Sequence, residues 1–367
     1  MPHNPFDSRT KQWLAYAGFF VLLAALPVLM DDPFLLNQLS IYGVYGMLAL
    51  SISLCWGFGG ILNLGQGIGF GLGAYGMAMT MQMQSQDPVT SPIPPFMLNN
   101  GLDTLPGLWI PFTNTGMGIF LALFVPTVFY LVFGGLMFRA RVSGPFFAIM
   151  TLATLTAIGT ICLDLQAYTN GVNGISPPSA LVLGGIVFDP YSSLSYWVVL
   201  ALMVFSTVLA KLLTQSRFGI VVRALQDDAE RVRFLGYNVA SYEMLVYTIS
   251  GFIAALAGCA FAFLNQYVSP AQFDVNFSIS IVIWAAIGGR GSLLWTMLGS
   301  FVVKGAESYV GDVFLSTWIL ILGFFFILVV RFMPGGLAGL ARMMIGRAFG
   351  RPDAPTENQI NPKVERG

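Results

Sequence analysis

Charge is scarce in this sequence. Asp, Glu, Lys and Arg together make up 9% of its 367 residues, against roughly 25% in a soluble domain. Hydrophobic residues make up 56%. A water-soluble fold of this length has too little interior to hide that much apolar surface, so lipid must cover part of it. Histidine is almost missing: His3, near the terminus, stands alone. The three cysteines, Cys55, Cys162 and Cys259, lie far apart in apolar runs. That spacing excludes a metal site of the Cys/His type and a disulfide framework, and the cysteines read as small buried hydrophobes. No clustered His, Cys or carboxylates supply a nucleophile or a metal constellation, so an enzyme is not expected. No G-x-x-x-x-G-K-[ST] phosphate loop occurs, so any ATP hydrolysis must belong to another chain. Neither a cofactor nor a nucleic-acid partner is expected.

The apolar runs themselves set the fold class. A helix needs about 20 apolar residues to cross the hydrocarbon core. Ten candidates stand at residues 12–30, 36–56, 61–83, 118–138, 146–164, 194–213, 242–264, 276–289, 293–311 and 314–331. The expectation is an all-α integral membrane protein of about ten transmembrane helices, with one or two segments broken or re-entrant. The suspect places are the short eighth run and the glycine-rich stretch 57–60, a poor loop between two full helices. The first run follows Arg9 and Lys11 like a signal sequence. It is long enough to span, however, and lacks a small-x-small cleavage site, so it reads as an uncleaved span.

Charge placement orients these spans. With the N-terminus inside, all of the 17 Lys and Arg residues except Lys304 fall in cytoplasmic segments or at their edges. The exterior segments hold acids instead, among them Asp31, Asp32, Asp103, Asp189 and Asp274. This follows the positive-inside rule. It implies a multi-pass protein of the bacterial inner membrane with both termini cytoplasmic: residues 1–11 inside, a membrane domain over 12–340, and a polar tail over 341–367. The exterior loop 84–117 is rich in Pro, Asn, Gly and Thr and predicts irregular structure. The exterior loop 165–193 contains Asn170-Gly171-Val172-Asn173-Gly174, a tight-turn composition.

The longest interior loop, residues 214–241, contains SRFGIVVRALQDDAERVRFLGYNVAS. Asp227, Asp228 and Glu230 precede Arg231 and Arg233, and Gly236 follows. Acids early and bases late suit the dipole of a short helix, with the glycine as its C-terminal stop. Such a helix is either an ordinary solvated loop or a rigid knob that docks on a partner. The loop resembles the coupling loop of permeases of the branched-chain amino acid and urea ATP-binding-cassette importers. Three further stretches resemble the same family: WGFGGILNLGQGIGFGLGAYGMAM from Trp56, TNGVNGIS from Thr169, and IWAAIGGRGSLLWTMLGS from Ile283 with the closing FMPGGLAGL from Phe332. The loop charges, FLGY from Phe234 and WAAIGGRG from Trp284 look closest to the urea-type permease.

The resemblance implies a transport subunit that moves a small polar solute into the cytoplasm. The solute would be urea or a short-chain amide, or alternatively a branched-chain amino acid. It also implies partners: a second related permease, two ATPase subunits that use the ATP, and a periplasmic substrate-binding protein, all in membrane lipid. On that view Arg223, Asp227, Asp228, Glu230, Arg231, Arg233 and Gly236 couple the chain to the ATPase. An ion-coupled secondary transporter is the alternative of another class. It calls for ionisable groups in mid-span, and only Lys304 and Glu307 offer them.

Within the spans, Gly65, Gly69 and Gly73 repeat at four-residue spacing, which lets another helix approach closely. Gly71 to Gly76 formally match G-x-G-x-x-G, but no βαβ context surrounds them. Asn63 and Gln66 start this run. Lipid offers amides no partners. They therefore either bond backbone groups freed at a helix break or line the solute path. Lys304 and Glu307, three apart on one helix face, can pair with each other. They are either a structural bridge or part of the pathway. Arg290 reads as a cytoplasmic turn rather than a ligand.

Overall fold

The structure is a computed structural model that describes residues 9–30, 32–87, 92–289, 291–310, 323–324 and 336–339. Thirteen helices follow in chain order among the described residues. They are α1 (Arg9–Leu29), α2 (Pro33–Ile52), α3 (Gln66–Gln84), α4 (Pro95–Asn99), α5 (Thr115–Arg139), α6 (Gly144–Asp164) and α7 (Gln166–Thr169). After a two-stranded hairpin come α8 (Ser193–Gln215), α9 (Arg217–Asp227), α10 (Ala229–Phe234), α11 (Val239–Asn265), α12 (Val275–Gly288) and α13 (Leu293–Val310).

Six of these helices are long and apolar enough to cross a membrane: α1, α2, α5, α6, α8 and α11. The number rises to seven if α12 and α13, bent by 118° at the turn between them, count as one broken span. The expected ten are not reached, for identifiable reasons. Helix α3 is 19 residues long and carries no charge, but its glycines and Gln66, Gln82 and Gln84 dilute its hydropathy. It is buried along nearly its whole length and so meets protein rather than lipid. The eighth and ninth predicted spans are the two arms of the bent pair. The tenth, 314–331, lies outside the described residues except for 323 and 324, as do Arg290 and the tail 341–367.

Burial sorts the helices into an inner and an outer set. In α11, 78% of the spanning window is buried; in α1 only 11% is, and α5 and α6 are also largely uncovered. Apolar side chains such as Leu22, Phe124 and Ile149 cover those outer faces, as lipid contact requires. Helices α2, α3 and α11 form the interior. Close approach there depends on small residues. A Cβ on Gly73 would strike the backbone of Ala255, and one on Gly258 would strike the carbonyl of Phe70. A Cβ on Gly69 would come within 2.9 Å of the Gly251 carbonyl oxygen. Gly69 and Gly73 thus admit α11. Gly65 precedes the helix and meets α6 instead, where a Cβ would lie 2.6 Å from the Thr151 carbonyl oxygen.

The two loops expected outside, 84–117 and 165–193, are more ordered where described than their composition predicts. Residues 92–114 form α4 and the 3-10 turn Ile110–Thr113, pinned by buried Met97, Trp109 and Phe112. The second loop turns at Asn170, in left-handed conformation with φ 63°. It then forms the antiparallel hairpin β1 (Leu181–Leu183) and β2 (Ile186–Phe188). Gln84 ties that hairpin to α3. Its amide nitrogen donates to the Val182 carbonyl at 2.5 Å, and its amide oxygen accepts from the Val182 N–H at 2.9 Å.

The packing of α3 on α11 makes a prediction. Gly73→Val or Gly258→Val forces the two backbones apart and costs about 1–3 kcal/mol. The thermal midpoint of the detergent-purified subunit drops accordingly. A midpoint equal to that of the parent would contradict the packing.

Candidate functional site

The buried helical core contains a break in the helical backbone. Helix α2 runs into a π-helical turn, Ser53–Phe58, and regular structure resumes only at Gln66. The third predicted span, placed at 61–83, therefore begins five residues late. Glycine ends the turn: Gly60 has φ +69°, a conformation costly for residues with a side chain. Unpaired peptide groups are expensive away from water. At Gly59, Gly60 and Ile61 the N–H groups still donate back to Leu54, Trp56 and Cys55. Beyond that point side chains take over.

The Thr151 hydroxyl, on α6, accepts from the Leu64 N–H at 3.2 Å. The Ser278 hydroxyl, on α12, donates to the Leu64 carbonyl. Tyr130, on α5, donates its hydroxyl to the Gly65 carbonyl at 3.0 Å and accepts from the Gly69 N–H at 3.3 Å. Asn63 folds over its own turn: its amide oxygen accepts from the Gly65 N–H at 2.9 Å, and its nitrogen donates to Gln66 at 2.5 Å. Gln66 in turn donates to the hydroxyls of Ser51 at 2.6 Å and Ser250 at 3.0 Å. Ser250 closes the circuit by donating to the Ser51 carbonyl at 2.7 Å. Asn63, Gln66, Ser51, Ser250 and Thr151 are all fully buried.

Of the two roles open to Asn63 and Gln66, bonding at a helix break is thus the one their geometry displays. The residues that complete the seal — Ser51, Tyr130, Thr151, Ser250 and Ser278 — escaped the sequence reading. Their only signal was polarity inside apolar runs, which is ambiguous. Ser40 and Thr248 give the same signal and donate to carbonyls of their own helices.

Lys304 and Glu307 do pair, at 2.8 Å, with both side chains partly covered. The ammonium also lies over the rings of Tyr45, 4.3 Å from its centroid, and Trp284, at 5.0 Å. Two aromatic faces and a carboxylate reduce the cost of a cation in this setting. One turn further on, Ser308 accepts from Gln38 at 2.6 Å. The pair therefore straps α13 to α2 and α12. It lies apart from the sealed break and is not joined to it by any hydrogen bond among the described residues.

The loop 214–241 forms two helices rather than one. Asp227 ends α9, and Asp228 starts α10, accepting from the N–H groups of Glu230 and Arg231 at 3.1 Å. Arg231 returns to the Asp228 carboxylate at 2.8 Å. Gly236 sits just past the end of α10 with φ +87°, as its stop position requires. Around this frame the apolar side chains of Phe234 and Leu235 stand in the open, 91% and 76% exposed. The other side of the loop is held: Leu225, Val232 and Val239 form a small separate core. Arg223 reaches back to the π-helical turn, its guanidinium 5.2 Å from the Phe58 ring centroid. Gln226 covers Gly60, where an added Cβ would lie 3.2 Å from the Gln226 Cγ. The loop that carries the charges thus rests on the start of the break.

The sequence pattern described as "Branched-chain amino acid transport system / permease component" matches residues 34–330. The chain is similar to the high-affinity branched-chain amino acid transport system permease proteins LivM of Salmonella typhimurium and of Escherichia coli. Each is 27% identical over 224 residues, which cover 55% of this chain and 52% of the relative. The chain therefore spans about half the length of these relatives. It is also 38% identical over 96 residues to the fructose import permease protein FrcC of Rhizobium meliloti, across 25% of this chain and 27% of that one. No solved structure matches the chain.

The seal yields a prediction. Tyr130→Phe keeps the ring and removes the hydroxyl, leaving the Gly65 carbonyl and Gly69 N–H short of a partner. Stability falls by about 1–3 kcal/mol, read as a lower thermal midpoint. A Tyr130→Phe subunit as stable as the parent would show that the hydroxyl is not needed to hold the break.

Proposed function

Because the chain belongs to the family of branched-chain amino acid transport system permease components, we propose that it is the membrane-spanning subunit of an ATP-binding-cassette importer. It is a transport protein and not an enzyme. In this reading it carries a small polar solute into the cytoplasm, together with a second related permease, two ATPase subunits and a periplasmic binding protein. Its N- and C-termini are cytoplasmic, on the side where the basic residues gather.

The observation that carries the reading is the build of the interior loop. A capped α10 presents two exposed apolar side chains, Phe234 and Leu235, among the charges of Asp228, Glu230, Arg231 and Arg233. That combination suits a knob seated in a cleft of a partner protein. Behind it, Arg223 and Gln226 touch Phe58 and Gly60 at the head of the backbone break. A push on α10 therefore has a direct line to a place where the inner helices are discontinuous. Movement there would open the network of Asn63 and Gln66, whose amides could then both donate to and accept from a passing solute.

Two substrate readings stand beside each other. Urea or a short amide follows from the similarity of the loop and of WAAIGGRG to urea-type permeases. A branched-chain amino acid follows from the names of the LivM relatives. The ion-coupled alternative calls for an ionisable group free to load an ion, and Glu307 is already paired with Lys304.

Two experiments test this function. Exchanging the charges of Asp228 and Arg231 in one double variant should abolish ATP-dependent uptake by the reconstituted transporter while the subunit stays folded. Normal uptake by that variant would remove the coupling role. Glu307→Gln leaves Lys304 without its counter-ion. If the pair serves transport, uptake falls several-fold in an assembled complex. Reduced assembly with unchanged uptake per complex would make it a structural strap.

A further inference from the structure

Basic side chains gather where α8 runs into α9, and one of them is covered. Lys211, near the end of α8, is only 8% exposed. Its ammonium donates to the side-chain oxygen of Gln12 on α1 at 2.7 Å and lies 4.9 Å from the centroid of the Tyr16 ring. Arg223, on α9, is close enough for the two positive charges to repel. Neither cation has a carboxylate within ion-pair distance; among the described residues the ion pairs are Asp228 with Arg231 and Lys304 with Glu307.

The contrast with Lys304 defines what is missing. Lys304 has two aromatic faces and a carboxylate. Lys211 has one aromatic face and one neutral amide, and a second cation nearby. An ammonium carries three N–H donors, and Gln12 accepts one of them. The Tyr16 ring eases the charge without neutralising it. Covering a cation beside a like charge is costly unless an anion completes the site.

The surroundings say which kind of anion. Phe205 and Leu212 are exposed, with half-buried Leu209 between them, so α8 presents an open apolar stripe that ends beside Lys211. Helix α1, against which Lys211 is held, is the least covered of the six candidate spans. On the other side, α9 leaves Ile220 in the open between the exposed Arg217 and Arg223. Apolar surface running into basic groups is the layering of hydrocarbon under headgroups, and basic pockets between helices at that level take anionic lipid. A soluble anion would use the cations and leave the stripe bare.

We propose that Lys211, with Arg223 at the rim, holds the phosphate of an anionic phospholipid whose acyl chains lie along Phe205, Leu209 and Leu212. The lipid fastens the outlying helix α1 to α8. This site is independent of the importer reading.

The test uses the full-length protein, purified in neutral detergent and stripped of lipid. Phosphatidylglycerol should raise its thermal midpoint by several degrees and stay bound in native mass spectrometry. Phosphatidylcholine and inorganic phosphate should do neither. Lys211→Gln keeps a donor for Gln12 and removes the charge. It should weaken retention of phosphatidylglycerol about tenfold, the effect of losing one charge-assisted hydrogen bond, and Lys211→Arg should restore most of it. Should Lys211→Gln fail to fold, Arg223→Gln, at an exposed position, should still lower retention several-fold. Equal shifts from phosphatidylglycerol and phosphatidylcholine would overturn recognition of an anionic headgroup. The same shift from inorganic phosphate would make this a site for a soluble anion and overturn the lipid. Parental retention of phosphatidylglycerol in Arg223→Gln and in a folded Lys211→Gln would overturn the site itself.

Discussion

A peptide group in lipid has no water to turn to, and every other feature of this protein accommodates that fact. Between Gly59 and Gly65 the main chain leaves the helix inside the membrane domain, and its freed donors and acceptors must find partners within the protein. They find them in Tyr130 from α5, Thr151 from α6 and Ser278 from α12, while Asn63 and Gln66 join the break to Ser51 and Ser250 on either side. The seal requires five helices to converge within hydrogen-bonding distance of one short stretch. Convergence of that kind needs backbones that almost touch, which is why Gly69, Gly73 and Gly258 line the contact between α3 and α11.

The rest of the architecture follows from that inner knot. Helices α2, α3 and α11 are covered by protein, whereas α1 and much of α5 and α6 are left open, with only their sealing faces turned inward. A cation inside the domain is held by a carboxylate and two aromatic faces, so Lys304 becomes a strap between α13, α2 and α12 rather than a stray charge. At one end, the break begins beneath α9, in contact with Arg223 and Gln226. At the other, Phe273 lies against Gly71 of α3, the helix that follows the break. The break thus lies between these two contacts, with the loop 214–241 against its start and Phe273 against the helix that follows it.

Much of this was legible in the residues. Long apolar runs mark α1, α2, α5, α6, α8 and α11, because span length and hydropathy leave little choice. The acids, bases and Gly236 of the interior loop foretell a capped helix, and α10 is one. The loop also contains α9, which the charges alone do not reveal: its buried Leu225 packs with Val232 and Val239 in the loop itself, and its buried Val222 joins the main core. A discontinuity near 57–60 was expected from glycine. The true break extends to Gly65 because α2 continues through a π-helical turn that composition does not signal. The bent pair of α12 and α13 looks like two spans in sequence, since a 118° bend within one span and a loop between two spans are written in the same residues. The sealing hydroxyls were hidden for a different reason. A serine in an apolar run looks alike whether it bonds its own helix or a neighbour, and only the packing tells them apart.

The central claim is that work reaches this membrane subunit from nucleotide hydrolysis on another chain. The most direct measurement is solute accumulation in liposomes containing this subunit alone, and then with its companion permease, ATPases and binding protein. The account predicts no uphill accumulation by the lone subunit under any proton or sodium gradient, and accumulation by the full assembly only with ATP inside its reach. Concentration of solute by the lone subunit against a gradient, driven by either ion, would contradict it.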